Sequence, residues 1–164
     1  LDNEIRIRQA RLEDIQIILK HRRGMFEDMG CRNEEDLETM VATSEVYITR
    51  GLHEGSYRGW VAELPSGQVV AGGGIFVTHW PTHPDDPRTE RATILNMYTE
   101  PKYRRQGFAR ALMHVMIEWC RAEGFRWVSL HASEDGRPLY ESLGFRPTNE
   151  MRLHLPKANS PTPS

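Results

Sequence analysis

Residues 101–113 read PKYRRQGFARALM. Arg104 and Arg105 come just before Gly107 and the small Ala109, and an apolar helical run follows at Leu112, Met113, Val115, Met116, Trp119 and Cys120, closed by Gly124. Ala92 to Thr99, on the other side, has the composition of a strand. A strand, a basic turn with a glycine and a helix start together make a phosphate site. Free N–H groups and the positive end of the dipole meet at the helix N-terminus, and arginines add charge-assisted bonds. A glycine there lets the backbone approach its ligand. The Walker pattern and the GxGxxG fingerprint are both absent, which disfavours a P-loop nucleotidase and a dinucleotide fold.

The rest of the chain sets the frame. Its 164 residues suit one domain, with 38% hydrophobic and 27% charged residues and a formal net charge of −2. That balance argues against a general nucleic-acid binder, so any basic site is local, as at Arg104 and Arg105 or at Arg22 and Arg23. Two cysteines, Cys31 and Cys120, make no disulfide framework. No apolar run is long enough to span a membrane, and LDNEIRIRQA lacks a signal-peptide design, so the expected location is cytoplasmic.

Alternation at Ile5 to Arg8 predicts a strand. Helical spacing follows from Arg11 to about Met29, and a second helix opens at Asn33-Glu34-Glu35-Asp36 and ends near Gly51 or Gly55. Residues 58–64 and 69–78 flank Pro65-Ser66-Gly67-Gln68 as a hairpin. Gly72-Gly73-Gly74 inside the second of these strands signals a bulge or a close approach. A proline-rich loop covers 80–90. Beyond the phosphate turn come a strand over 125–131, a short helix over 138–143, and two last strands over 145–147 and 151–155. The polar tail at 156–164 is expected to be disordered. Trp60, Trp119 and Trp127 are expected to be packed, and His131 to be buried.

The pattern Arg104-x-x-Gly107-x-Ala109 after a strand resembles the acyl-CoA pyrophosphate motif of the GNAT (GCN5-related) N-acetyltransferase superfamily. LHASEDGRPLYESLGF at 130–145 resembles that family's later strand–loop–helix segment, and LNMYTEP at 95–101 resembles the strand before its pyrophosphate loop. The resemblance implies an α/β fold with a mixed, mostly antiparallel central sheet, splayed at the acyl-CoA site, with helices on both faces. Residues 1–155 would form a single domain.

The resemblance also implies roles. Main-chain groups of Met97 and Thr99, with Tyr98 between them, would pair with the pantetheine arm of acetyl-CoA as β-augmentation does. Main-chain N–H groups of Arg105, Gln106, Gly107, Phe108 and Ala109 would hold the pyrophosphate, flanked by Arg104 and Arg105. Ser133 stands where many relatives carry Asn beside the pantetheine. Tyr140 would donate a proton to the leaving thiolate. The activity implied is acetyl transfer from acetyl-CoA to a primary amine of a small molecule or peptide, with no metal, nucleic-acid or membrane partner. A strand at 151–155, left exposed, offers an edge for a homodimer.

The base is open. Residues 92–96 carry no carboxylate, which leaves a water relay or Glu27, Asp28, His79, His83 or Glu150, with Glu27 first among side chains. The acidic Glu27, Asp28 and Glu150 suggest a cationic acceptor. The prolines around His79 and His83 place that pair in a loop without further ligands, which disfavours a metal site. The missing strand carboxylate also motivates an alternative, an acyl-CoA sensor without turnover. A factor binding RNA phosphates through Arg104 and Arg105 is disfavoured by net charge and by the lack of stacking aromatics.

Overall fold

The half-buried alternation near the N-terminus becomes β1 (Arg6–Gln9), which passes through a 3-10 turn (Leu12–Asp14) into α1 (Ile15–Asp28). The computed structural model describes residues 5–155, so the expected disorder of 156–164 falls outside the described residues. Asp14 fastens this entry. Its carboxylate accepts two bonds from Arg8 at 2.8 and 2.9 Å and one from the Arg11 N–H at 2.7 Å. α2 (Glu34–Glu54) is capped by Asn33, whose Oδ1 accepts from the Asp36 N–H at 3.1 Å, and acidic residues fill its first turn. It stops at Gly55, held at φ 85°.

β2 (Tyr57–Glu63), β3 (Val69–His79) and β4 (Glu90–Thr99) follow, then a 3-10 turn (Pro101–Tyr103), α3 (Phe108–Ala122), β5 (Val128–Leu130) and α4 (Arg137–Ser142). The sheet runs β1-β2-β3-β4-β5. Its first four strands are antiparallel, and β5 lies parallel to β4. Such a parallel return needs a crossover, which α3 supplies.

Strand alternation sorts the core into two layers. Trp60, Ala62, Ile75 and Ile94 point toward Leu112, Met113 and Met116 of α3. Tyr57 and Val61 point the other way, toward Ile18, Leu19 and Ile48 of α1 and α2. Leu112, Met113 and Met116 are fully buried, and burial of this kind is worth about 1.5–3 kcal/mol per side chain.

The glycine run makes room on both faces. A Cβ on Gly73 would strike Met97 and Met116, and one on Gly74 would enter the Tyr57 ring. The register also slips here: Gly73 faces both Asn96 and Met97, so the close approach falls on the glycines and the extra residue of the bulge on β4.

Several expectations are corrected. No strand forms over 145–147 or 151–155 among the described residues. The Phe145 N–H closes the turn after α4 onto the Tyr140 carbonyl at 3.1 Å, and Pro147 has no N–H for a ladder. Met151, Leu153 and Leu155 are exposed at 95%, 81% and 80%, because alternation alone builds no strand without a partner edge. The edge proposed for a homodimer is therefore not formed as a strand. β5 is shorter than expected because Phe125 is used in ending α3, its N–H bonding the Cys120 carbonyl at 2.9 Å. Trp127, just before β5, is 38% exposed, and His131 is exposed rather than buried. Trp60 and Trp119 do pack together, 5.8 Å between ring centroids.

Candidate active site

β4 pairs with β5 only from Ala92 to Ile94. From Leu95 to Thr99 its outer edge has no strand beside it among the described residues. Unpaired edge groups of this kind accept an extended ligand as a further strand. Asn96 sits in this gap at φ 59°. Its left-handed turn brings Leu95 and Asn96 to the same face, toward α1 and α2, before Met97 returns to α3 and Tyr98 to α1.

Beyond the gap lies the phosphate-like turn. Arg105 at φ 64° and Gly107 at φ 88° reverse the chain into α3. The first helical bond runs from the Ala111 N–H to the Gly107 carbonyl at 3.0 Å. The N–H groups from Arg105 to Arg110 have no acceptor among the described residues, and no side chain caps the helix. A row of unpaired N–H groups on a fifteen-residue helix is an anion cradle. Gly107 meets no neighbour where a Cβ would stand, so its positive φ, rather than crowding, calls for glycine.

The two arginines behave differently. Arg104 donates to the Thr99 carbonyl at 3.0 Å and to Asp28, and lies 5.5 Å from the Tyr98 ring, tying the turn to the end of α1. Arg105 has no hydrogen bond or ion pair among the described residues and is exposed beside the cradle. Gln106 reaches back to the Lys102 carbonyl at 3.4 Å. Phe108 is buried and Ala109 half-buried at the helix entry.

Tyr140 lies on α4 against Phe145, 6.1 Å between centroids, and is half-buried. Burial pushes its phenol pKa up, so the group holds its proton at neutral pH. Ser133 accepts the Gly136 N–H at 3.2 Å and so orders the loop into α4.

The carboxylates considered as bases are engaged. Glu27 accepts from Arg23 at 2.8 Å, Asp28 pairs with Arg104, and Glu150 lies 3.4 Å from His131 and 3.3 Å from Arg152. His21 on α1 is buried, 3.4 Å from Glu100 through Nε2 without hydrogen-bond geometry, and its ring lies tilted against Tyr98, 5.2 Å between centroids. Desolvation lowers the His21 pKa, outweighing the pull of Glu100. Among the described residues no group of side chains is placed to hold a metal ion. No helix there is long and apolar enough to cross a membrane.

Sequence reasoning missed the polar set at the gap. Arg22 on α1 donates from Nη1 to Asn96 Oδ1 at 2.5 Å and from Nε to Ser44 Oγ at 2.9 Å, and Asn96 donates from Nδ2 to the Tyr57 hydroxyl at 3.2 Å. One signal was available. Arg22 falls four residues after Ile18 and four before Phe26, on the apolar stripe of its helix, where a charged side chain needs a reason.

The fold agrees with known proteins. Residues 20–145 match the model of the acetyltransferase (GNAT) family, and the chain belongs to that family of acyltransferases. A crystal structure of a GCN5-related N-acetyltransferase from Ralstonia eutropha JMP134 superposes with a TM-score of 0.85 at 35% identity, covering 92% of this chain and 98% of that one. A predicted acetyltransferase from Clostridium acetobutylicum, solved with acetyl-CoA, gives a TM-score of 0.82 at 26% identity over 93% of this chain and 96% of its own. Human N-acetyltransferase 8B is 31% identical over 101 residues, 58% of this chain and 41% of that protein. The [ribosomal protein bS18]-alanine N-acetyltransferase of Escherichia coli strain K12 is 36% identical over 70 residues, 41% of this chain and 47% of that protein. The matched segments thus span less than half the length of these two curated relatives.

Proposed function

We propose that the chain transfers an acetyl group from acetyl-CoA directly to a primary amine of a small molecule or peptide. The observation that carries this reading is the junction of the open β4 edge at Leu95–Thr99 with the row of free N–H groups at Arg105–Arg110. Acetyl-CoA supplies an extended amide-bearing arm and a diphosphate, and these two features fit it in that order. Main-chain groups of Met97 and Thr99 bind the arm, and the Met97 N–H region, set by the Asn96 bulge, polarises the acyl carbonyl. The cradle N–H groups and Arg105 hold the diphosphate, while Arg104 keeps the turn against α1. Tyr140 keeps its proton and places it at the departing sulfur.

The amine must reach the carbonyl unprotonated. A water chain takes its proton, and Glu27, at the end of α1, is the side chain assigned to receive it. The engagement of Glu27 by Arg23 favours one other reading, an acyl-CoA sensor without turnover. Thiol release from acetyl-CoA across a panel of amines, with acetyl-CoA binding followed in the same buffer, separates the two. Release with any amine establishes the transferase. Binding without release across the panel supports the sensor, and absence of binding overturns both.

A further inference from the structure

We infer that Arg22 is the docking point for a carboxylate on the acceptor, so that the amine acetylated here belongs to a molecule that also carries an acid. This rests on the transferase reading and names the class of its second substrate.

The argument starts from an uncompensated charge. Arg22 is half-buried on the apolar stripe of α1, yet both side chains it bonds are neutral, Ser44 through Nε and Asn96 through Nη1. Among the described residues it makes no ion pair. The acids nearby are committed to other cations: Glu27 and Glu34 to Arg23, Asp28 to Arg104, and Glu100 to Lys20 at 2.7 Å. Desolvation pulls the Arg22 pKa down, and among the described residues the opposing influences are the phenols of Tyr57 and Tyr47. A guanidinium does not escape burial by losing its proton. A desolvated cation without an anion is costly, and an anion arriving at it recovers that cost.

Donor geometry points the same way. With Nε and one Nη1 hydrogen used, the other Nη1 hydrogen and both on Nη2 have no acceptor among the described residues. Nη2 is also not sealed from solvent. The guanidinium thus keeps donors, both of those on Nη2 among them, for charge-assisted bonds to a carboxylate.

Position decides what such a carboxylate would be for. Asn96, the anchor of Arg22, is the bulge residue in the gap beyond the last β5 pair. An acid held on Arg22 keeps the rest of its molecule at the mouth of that gap, where the acyl carbonyl is proposed to lie. Aromatic groups lie around Arg22. Phe26 lies 5.1 Å from the guanidinium, and Tyr47 packs on Phe76 at 4.9 Å. The acceptor therefore pairs its carboxylate with an apolar or aromatic body. This acceptor differs from the cationic one that Glu27, Asp28 and Glu150 suggest; each of those carboxylates pairs with an arginine of this chain.

The test uses matched ligands. N-acetyl-phenylalanine and N-acetyl-leucine, each beside its neutral amide, are titrated calorimetrically into the CoA-loaded protein. The acids are expected to bind about tenfold or more tighter than the amides, as a charge-assisted bond requires. Arg22→Gln, checked by thermal unfolding, brings that ratio toward one, and Arg22→Lys keeps part of it. Equal affinities for acid and amide in the unaltered protein, or no binding of either, overturn the proposal. In turnover, phenylalanine should outpace its amide in kcat/KM although the amide's amine loses its proton more readily, and the reverse order also overturns it. Acetyl-CoA titrated into the same preparation reports on the transferase reading alone. Failure there removes both ideas, and binding there with an acid-to-amide ratio of one removes only the carboxylate.

Discussion

The Tyr57 hydroxyl accepts a hydrogen bond from Asn96 Nδ2 at 3.2 Å, across a space that exists because residue 74 is glycine. Tyr57 is fully buried, so its ring is fixed by packing, and the Asn96 amide is fixed by the ring. Arg22 then leans on the far side of the same amide. A backbone without a side chain on β3 thus sets a cation on α1.

Gly74→Ala is expected to destabilise the fold by about 1–3 kcal/mol, because the new Cβ meets Tyr57 ring carbons at 2.5 and 2.7 Å. Denaturant unfolding measures this. The variant should also lose acid-over-amide discrimination, since Asn96 and Arg22 move with Tyr57. A variant as stable as the parent would show that the ring has another place to go.

Arg105→Ala should weaken acetyl-CoA binding by about tenfold at low salt, and less at high salt, because the exposed guanidinium acts on the diphosphate as a charge. Thermal stability should not change, since Arg105 touches no partner among the described residues. Calorimetric titration at two ionic strengths reads both effects. Gly107→Ala, by contrast, should lower stability by about 1 kcal/mol through its φ of 88°.

Tyr140→Phe is expected to lower kcat by about a hundredfold while leaving the acetyl-CoA dissociation constant unchanged. The phenol pKa is raised by burial, so the acid form persists through neutral and mildly alkaline pH and is lost only above the ordinary tyrosine range. Any fall in rate caused by its ionisation should therefore lie above about pH 10 and vanish in the variant. Rate profiles of the two proteins settle the point. An unchanged kcat would assign Tyr140 to packing.

His21 makes stability depend on pH in a definite direction. Its pKa in the folded protein is lowered by desolvation, below an unfolded value of about 6.5. On acidification through 6.5 the unfolded chain takes up a proton that the folded chain refuses, so stability falls until the folded pKa is reached. Urea midpoints between about pH 7.5 and 5 should decline, and His21→Gln should flatten that decline.

Burial pushes the Cys120 thiol up to about 11, so little of it is thiolate at neutral pH. A disulfide reagent should therefore titrate one cysteine, Cys31, in the folded protein and both after unfolding. Rapid reaction of two thiols under native conditions would place Cys120 outside the core.

The sequence by itself determined whatever is local in cause. Helical spacing from Ile15 and from Phe108, the Asn33 cap and the stop at Gly55 depend on neighbours within a turn, and all are legible as letters. The cradle at Arg105–Arg110 is largely local too, because Gly107 at φ 88° leads into a helix start that no side chain caps. The glycine run announced a close approach, though not which ring would fill it. Tertiary structure decided the rest. Met151, Leu153 and Leu155 alternate as a strand should, but pairing needs a second edge, and alternation carries no information about one. Glu27 and Asp28 looked like free acids until Arg23 and the distant Arg104 took them. The polar set at the gap is made by Arg22, Ser44, Tyr57 and Asn96, drawn from two helices and two strands. No period links those positions, and only the folding of α1 and α2 onto the sheet, with a bulge to turn Asn96, brings a cation without an anion to the gap.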